Sequence, residues 1–149
     1  MITTVRTNSG NADFQLLVRQ LDSYLAGIDG DEHAFYAQLN KTDLIREVIV
    51  AYEDGVPVGC GAIRAFSPEA MEVKRMYVLP EKRGMGVASV VLSALEGWAK
   101  ELGYKKTVLE TGKRQPEAIA LYTNRGYLVT PNYGQYAGVE NSVCFEKAL

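Results

Sequence analysis

The sequence predicts an α/β (α+β) fold, a mixed and mostly antiparallel sheet of about seven strands flanked by helices on both faces. Three observations carry this. β-Branched and aromatic runs recur along the chain with turn residues between them. Asp54-Gly55 joins two such runs, and Asp-Gly in that setting is the strongest short-range hairpin signal. A strand, a helix and a second strand follow one another from Met71 to Thr111, which implies a right-handed parallel crossover.

Taken in order, Ile2 to Arg6 is a β-branched run that reads as a first, edge strand. Ser9, Asn11 or Asp13 can cap a helix whose apolar face is Phe14, Leu17, Val18, Leu21, Tyr24 and Leu25, with Gly27 to Gly30 breaking it. Asp31-Glu32 suit the positive end of a second, short helix through Leu39. Arg46 to Tyr52 and Val56 to Phe66 form the hairpin, Ser67-Pro68 ends it, and a turn around Glu69 leads into a central strand from Met71. That strand stops at Leu79, because Pro80 cannot donate a ladder hydrogen bond. From Val87 the apolar positions Val90, Val91, Ala94, Leu95, Trp98 and Leu102 recur at threes and fours, the period of a helix with one buried face, and Gly103 stops it. Lys106 to Thr111 is a short strand beside the central one. Pro116 fits the first turn of a helix faced by Ala118, Leu121 and Tyr122. Tyr127 to Thr130 and Ser142 to Lys147 are the last strands, with Pro131 to Asn141 between them. No repeat, linker or low-complexity stretch interrupts this, so residues 1–149 are expected to be a single domain.

Composition narrows the partners. The apolar fraction is 47% and the charged fraction 23%, ordinary for a globular protein, and the net charge is −2, so no basic field invites nucleic acid or an anionic membrane. Cys60 and Cys144 sit in apolar strand-like runs, as core thiols do, and no Cys/His spacing suggests a metal. No apolar stretch approaches the roughly 18 residues needed to span a bilayer, and the N-terminus lacks a basic region leading into an apolar run, so a cytoplasmic location is expected.

The chemistry concentrates in Glu81-Lys82-Arg83-Gly84-Met85-Gly86, between the central strand and its helix. Two glycines let the backbone turn tightly and approach a ligand, and the first N–H groups of the helix lack internal partners, so the loop is an anion cradle beside Lys82 and Arg83. No GxxxxGK[ST] loop is present, and the GxG lacks the third glycine and the later acidic residue of a dinucleotide fingerprint, so nucleotide hydrolysis and hydride transfer drop away. Arg83-Gly84-Met85-Gly86-Val87-Ala88 resembles the Q/RxxGxG/A motif of the GCN5-related N-acetyltransferase (GNAT) superfamily. The strand Glu72-Val73-Lys74-Arg75-Met76-Tyr77-Val78 before it, and Ala118-Ile119-Ala120-Leu121-Tyr122 followed by Gly126-Tyr127, are that family's other landmarks in family order. The resemblance covers roughly the C-terminal half of the chain.

The resemblance implies the acyl-CoA N-acyltransferase fold, acetyl-CoA (coenzyme A) as co-substrate with no metal, and direct acetyl transfer to a primary amine on a small molecule, peptide or protein. A domain that binds acyl-CoA as a sensor without turnover is the alternative. In the family's manner, the backbone of Arg83, Gly84, Met85, Gly86, Val87 and Ala88 would hold the pyrophosphate, and the main chain of Met76, Tyr77 and Val78 would pair with the pantetheine arm. Tyr122 would protonate the departing thiolate, its ordinary pKa keeping it protonated at neutral pH. Glu72 stands where histone-type members carry their general base, with Glu110, His33 or water as rivals, and it could equally pair with Lys74. Gln115 occupies a position that is Asn in many relatives, where it would reach the cofactor. The acceptor walls are expected from Tyr24 to Tyr36, with Asp29, Asp31, Glu32 and His33, and from Asn132 to Gly138, with Tyr133 and Tyr136. Acidic and aromatic groups of that kind suit a small cationic amine. A homodimer is the assembly to test for.

Overall fold

Residues 1–30 and 45–149 are described by the computed structural model. The helix expected from Asp31 to Leu39, with Asp31, Glu32, His33 and Tyr36, lies outside them, as does the side chain of Asp29. The described residues form seven strands, β1 (Ile2–Thr7), β2 (Glu47–Glu53), β3 (Val56–Ala65), β4 (Ala70–Val78), β5 (Lys106–Gly112), β6 (Leu128–Thr130) and β7 (Ser142–Ala148). They lie in one sheet in the order β1-β2-β3-β4-β5-β7-β6. Only β4 and β5 run parallel. β7 enters between β5 and β6, an order that no local pattern in the last third of the chain dictates.

α1 (Ala12–Asp29) covers one face, and α2 (Val87–Glu101) and α3 (Pro116–Asn124) the other. The run Val48 to Ala51 shows why the pattern reads as continuously apolar: Val48 and Val50 pack under α1, while Ile49 and Ala51 pack under α2. The Asn11 side chain caps α1, accepting from the Phe14 N–H at 3.0 Å. Asp13, the other acidic candidate, instead accepts from the Tyr52 hydroxyl at 2.6 Å. α1 runs through Gly27 and ends at Asp29 before Gly30, one correction to the expected break. A helical glycine costs about 1 kcal/mol, which the burial of Phe14, Leu17, Val18 and Leu21 outweighs. Between β2 and β3, Asp54 and Gly55 take φ of 51° and 80°, the two positive values of a tight hairpin.

β4 carries a bulge that the sequence pattern does not announce. Cys60 lies opposite Tyr77 but Ala62 lies opposite Lys74, so Arg75 and Met76 share the single partner Gly61. Arg75 accordingly sits at φ 59°. The extra residue resets the alternation: Val73 faces α2, Arg75 reaches Asp22 on α1, and Met76 returns to the α2 side. Gly61 is needed for a second reason. A Cβ there would lie 2.5 Å from Met76 Sδ and 2.8 Å from Leu95 Cδ1, so its absence lets α2 close on the sheet.

β4 pairs with β5 only at Ala70, Met71 and Glu72. Beyond Glu72 the two parallel strands part, β4 staying with β3 to Val78 and β5 with β7 to Gly112. Tyr127, just before β6, ties the frame behind this split: its hydroxyl donates to Glu96 of α2 at 2.8 Å and lies 2.8 Å from Thr107 Oγ1 of β5. Cys60 and Cys144 are buried and free, as the apolar setting of each predicts.

Candidate active site

Where β4 and β5 separate, a cleft of about 660 Å³ opens between the end of β4, the glycine loop and α3. Met76, Tyr77 and Val78 form one wall, Arg83, Gly84, Gly86, Val87 and Ala88 the base, and Gln115, Ala118, Leu121 and Tyr122 the other wall. Of the residues expected in the cradle only Met85 stays off this lining, its side chain turned to solvent. A short 3₁₀ turn, Pro80–Lys82, precedes the loop and was not foreseen. Gly86, at φ 84°, is the N-terminal cap of α2, and among the described residues no side chain caps the first N–H groups of that helix. Those donors and the positive end of the helix dipole therefore face the cleft without a competing acceptor from a capping side chain.

The two cations of the loop are more committed than their sequence suggests. Lys82 Nζ lies 2.5 Å from Glu53. Arg83 donates from Nε to the Val78 carbonyl at 3.1 Å, and its guanidinium lies 5.0 Å from the Tyr24 ring and 5.6 Å from the Tyr77 ring. Tyr24, expected on the buried face of α1, is thus an exposed ring beside Arg83. One lone pair of the Val78 carbonyl, expected to serve the pantetheine arm, already serves Arg83.

A smaller cavity of about 110 Å³ continues inward, bounded by Glu72, Lys74 and Arg75 of β4, Glu110 and Thr111 of β5, and Tyr136. Met76, Gln115, Ala118 and Tyr122 border both spaces, so Tyr122 and Gln115 stand at their junction. The Tyr122 ring is 6% exposed and packs against Tyr127 and Phe145, with centroids 5.7 and 6.0 Å away. Its hydroxyl has no hydrogen-bond partner among the described residues. Burial, and then the charge of Glu110, push this phenol above its ordinary value, which keeps the proton on oxygen at neutral pH.

The two candidate bases differ in how they are held. Glu72 is buried, with Oε1 accepting from Arg64 Nε at 3.2 Å and Oε2 from the Tyr133 hydroxyl at 2.7 Å. Each carboxylate oxygen of Glu72 therefore holds one hydrogen bond. Glu110 accepts at Oε2 from Ser142 at 2.7 Å, and it is Glu110, not Glu72, whose charge is felt at Tyr122. Lys74 donates to the Tyr136 hydroxyl at 3.3 Å; burial lowers its pKa, while the Glu72 and Glu110 carboxylates oppose that shift.

Tyr133 and Tyr136, expected as an aromatic wall for a cation, are anchored from the β6–β7 segment to β4 by these bonds, and Phe66 packs edge-on to Tyr133 at 4.7 Å. Asn132 turns back to the Val139 carbonyl at 2.9 Å. Sequence reasoning missed Lys74 and Arg75 as cavity residues. The signal available was Gly59-Cys60-Gly61, since glycine inside a strand pattern marks a bulge or a close approach on the neighbouring strand. Among the described residues no group of His, Cys, Asp and Glu could hold a metal ion, and no helix is long and apolar enough to cross a membrane.

Residues 15–127 match the acetyltransferase (GNAT) family. The chain is 36% identical over 137 residues to the IAA acetyltransferase of Azospirillum brasilense, covering 89% of this chain and 88% of that protein. A crystal structure of a Klebsiella pneumoniae protein assigned as an acyl-CoA N-acyltransferase superposes with a TM-score of 0.84 at 31% identity, over 100% of this chain and 98% of that one. A GNAT family acetyltransferase from Elizabethkingia anophelis with acetyl-CoA bound shares the fold, with a TM-score of 0.72 at 19% identity over 99% and 98% of the two chains.

Proposed function

The chain belongs to the acetyltransferase (GNAT) family, and from that premise we propose that residues 1–149 form one acetyltransferase domain that moves the acetyl group of acetyl-CoA directly to a primary amine. The observation that carries the assignment of roles is the Tyr122 hydroxyl, protonated, without a partner among the described residues, and placed where the large cleft meets the inner cavity. Acetyl-CoA occupies the cleft, its pyrophosphate on the N–H groups from Gly84 to Ala88 and its pantetheine along Met76 to Val78, which leads the thioester toward Tyr122.

The amine enters from the inner cavity as an ammonium and loses a proton to Glu110, the carboxylate on that cavity whose charge acts on Tyr122. The neutral nitrogen then attacks the thioester carbonyl: a C–N bond forms, the C–S bond breaks, and the thiolate takes the Tyr122 proton. Collapse releases the nitrogen's second proton, so one proton leaves to solvent overall and Tyr122 is reprotonated. The buried, free thiols of Cys60 and Cys144 fit the reducing cytoplasm as the site of action. A homodimer remains part of the proposal.

Calorimetric titration with acetyl-CoA and with ATP, followed by thiol release with an amine panel, tests this reading. Acetyl-CoA is expected to bind and ATP to bind far more weakly, with thiol released only when an amine is present. Equal affinity for the two, or binding without turnover on any amine, would favour a phosphate binder or the sensor alternative.

A further inference from the structure

We propose that the acceptor carries a carboxylate as well as its amine, the carboxylate docking against Lys74 and Arg75 while the amine points to Glu110 and Tyr122. This rests on the acetyltransferase reading and narrows its substrate to a small amino acid or other amino-carboxylate, in place of the cationic amine that the acidic and aromatic sequence positions suggest.

Arg75 is the key. Its side chain is 2% exposed, yet only Nη2 finds a partner, in Asp22 of α1. Nε and Nη1 are buried without any. A guanidinium stays charged at every accessible pH, and buried donors left unpaired are costly, so native proteins seldom keep them without a reason. Arg75 also occupies a strained left-handed backbone position, shared among the described non-glycine residues only by the hairpin residue Asp54. The bulge at this point turns a second cation toward the same side as Lys74, and both border one cavity.

The surrounding charges point the same way. Lys74 and Arg75 border the cavity together with the carboxylates of Glu72 and Glu110, and the Arg75 guanidinium brings two donors that have no partner among the described residues. A carboxylate would satisfy those two Arg75 donors with charge-assisted hydrogen bonds, which an acceptor bearing only positive charge cannot do. Glu110, whose charge acts on Tyr122, borders the same cavity and would supply the negative partner for an ammonium. Cations and carboxylates around one space of about 110 Å³ fit a zwitterionic head with its amine held near the thioester.

The test measures thiol release with acetyl-CoA and three matched acceptor sets: the standard amino acids, their carboxamides, and the corresponding decarboxylated amines. At least one amino acid is expected to exceed its own amide in kcat/KM by at least about tenfold, as replacing charge-assisted hydrogen bonds by neutral ones implies. Lys74→Met should raise KM for that amino acid more than it lowers kcat and should flatten the acid-to-amide ratio. Arg75→Lys, a second variant that retains the charge but not the fork, should lower the ratio less. Amides or amines acetylated as fast as the acids, an unchanged ratio in Lys74→Met, or no amino acid acetylated at all would overturn the inference. In each of those cases thermal stabilisation by acetyl-CoA and turnover of other amines would leave the acetyltransferase reading standing; loss of both would remove that reading too.

Discussion

Tyr122→Phe separates chemistry from packing at a single atom. The substitution keeps the ring and its contacts with Tyr127 and Phe145, and the hydroxyl it removes has no hydrogen-bond partner among the described residues. No internal hydrogen bond is therefore lost, and the change in stability should stay under about 1 kcal/mol, a shift of a few degrees in Tm for a domain of this size. Acetyl-CoA affinity should hold, because the cradle and the β4 wall are untouched. The loss of a general acid should instead lower kcat by about 10²- to 10⁴-fold, or roughly 3 to 5 kcal/mol at the transition state. It should lower kcat/KM equally, since the proton is donated only as the C–S bond breaks.

The assay is steady-state thiol release beside calorimetric titration of acetyl-CoA and thermal unfolding of both proteins. Because burial raises the Tyr122 phenol, the wild-type rate should not fall through loss of this acid until the pH exceeds the ordinary tyrosine value near 10. A variant with near-normal kcat and a Tm lower by many degrees would refute the reasoning. The hydroxyl would then be structural, and water or nothing would serve the thiolate.

Three further outcomes are expected. Gly86→Val should abolish acetyl-CoA binding by calorimetry, because valine at φ 84° is strained by about 1–3 kcal/mol and the loop it would distort lines the cleft. Glu110→Gln should lower kcat at least about tenfold and remove the acid limb of the pH–rate profile, while Glu72→Gln should chiefly cost stability, about 1–3 kcal/mol, by weakening its bonds to Arg64 and Tyr133; the reverse pattern in kcat would return the base to Glu72. Tyr52 donates to Asp13, and its phenol is pushed up to about 12, so its contribution is complete below pH 10 and is lost as the pH rises through about 12; the urea-midpoint difference between wild type and Tyr52→Phe should shrink over that window, and a constant difference would refute the assignment.

What could be read in the sequence was whatever a short window contains. The spacing from Val87 to Leu102 specifies a helix whichever sheet it meets, Asp54-Gly55 specifies its own turn, and the two loop glycines and the open N-terminus of α2 are properties of about six consecutive residues. The rest depends on partners distant in the chain. Tyr133 looks like a free aromatic wall until Glu72, 61 residues earlier, accepts its hydroxyl. Lys82 looks like a phosphate ligand until Glu53 reaches it. The break expected at Gly27 failed because local propensity is weaker than the packing of the helix face that carries the residue. The bulge at Arg75 was hidden because almost every residue from Ala70 to Val78 is buried, so no polar alternation betrays the slip.

That bulge links the fold to the division of labour within the site. Pairing with β5 stops at Glu72, and three residues later the alternation of β4 is reset, so one continuous strand serves two spaces. Glu72, Lys74 and Arg75 border the inner cavity, Tyr77 and Val78 border the larger cleft, and Met76 borders both. A regular strand would turn Arg75 toward α2 and Met76 toward α1, burying a guanidinium in the apolar layer formed by Val91 and Leu95. The strain at φ 59° is the alternative that the sheet adopts, and Gly61 makes room for it across the ladder. Substitutions at Lys74 and Arg75 would therefore alter the inner cavity while the main chain of Tyr77 and Val78 at the larger cleft, a residue or two further on, stays in place. A side chain at Gly61 should disturb both spaces together, because it would press on Met76 and α2 at the point where they meet.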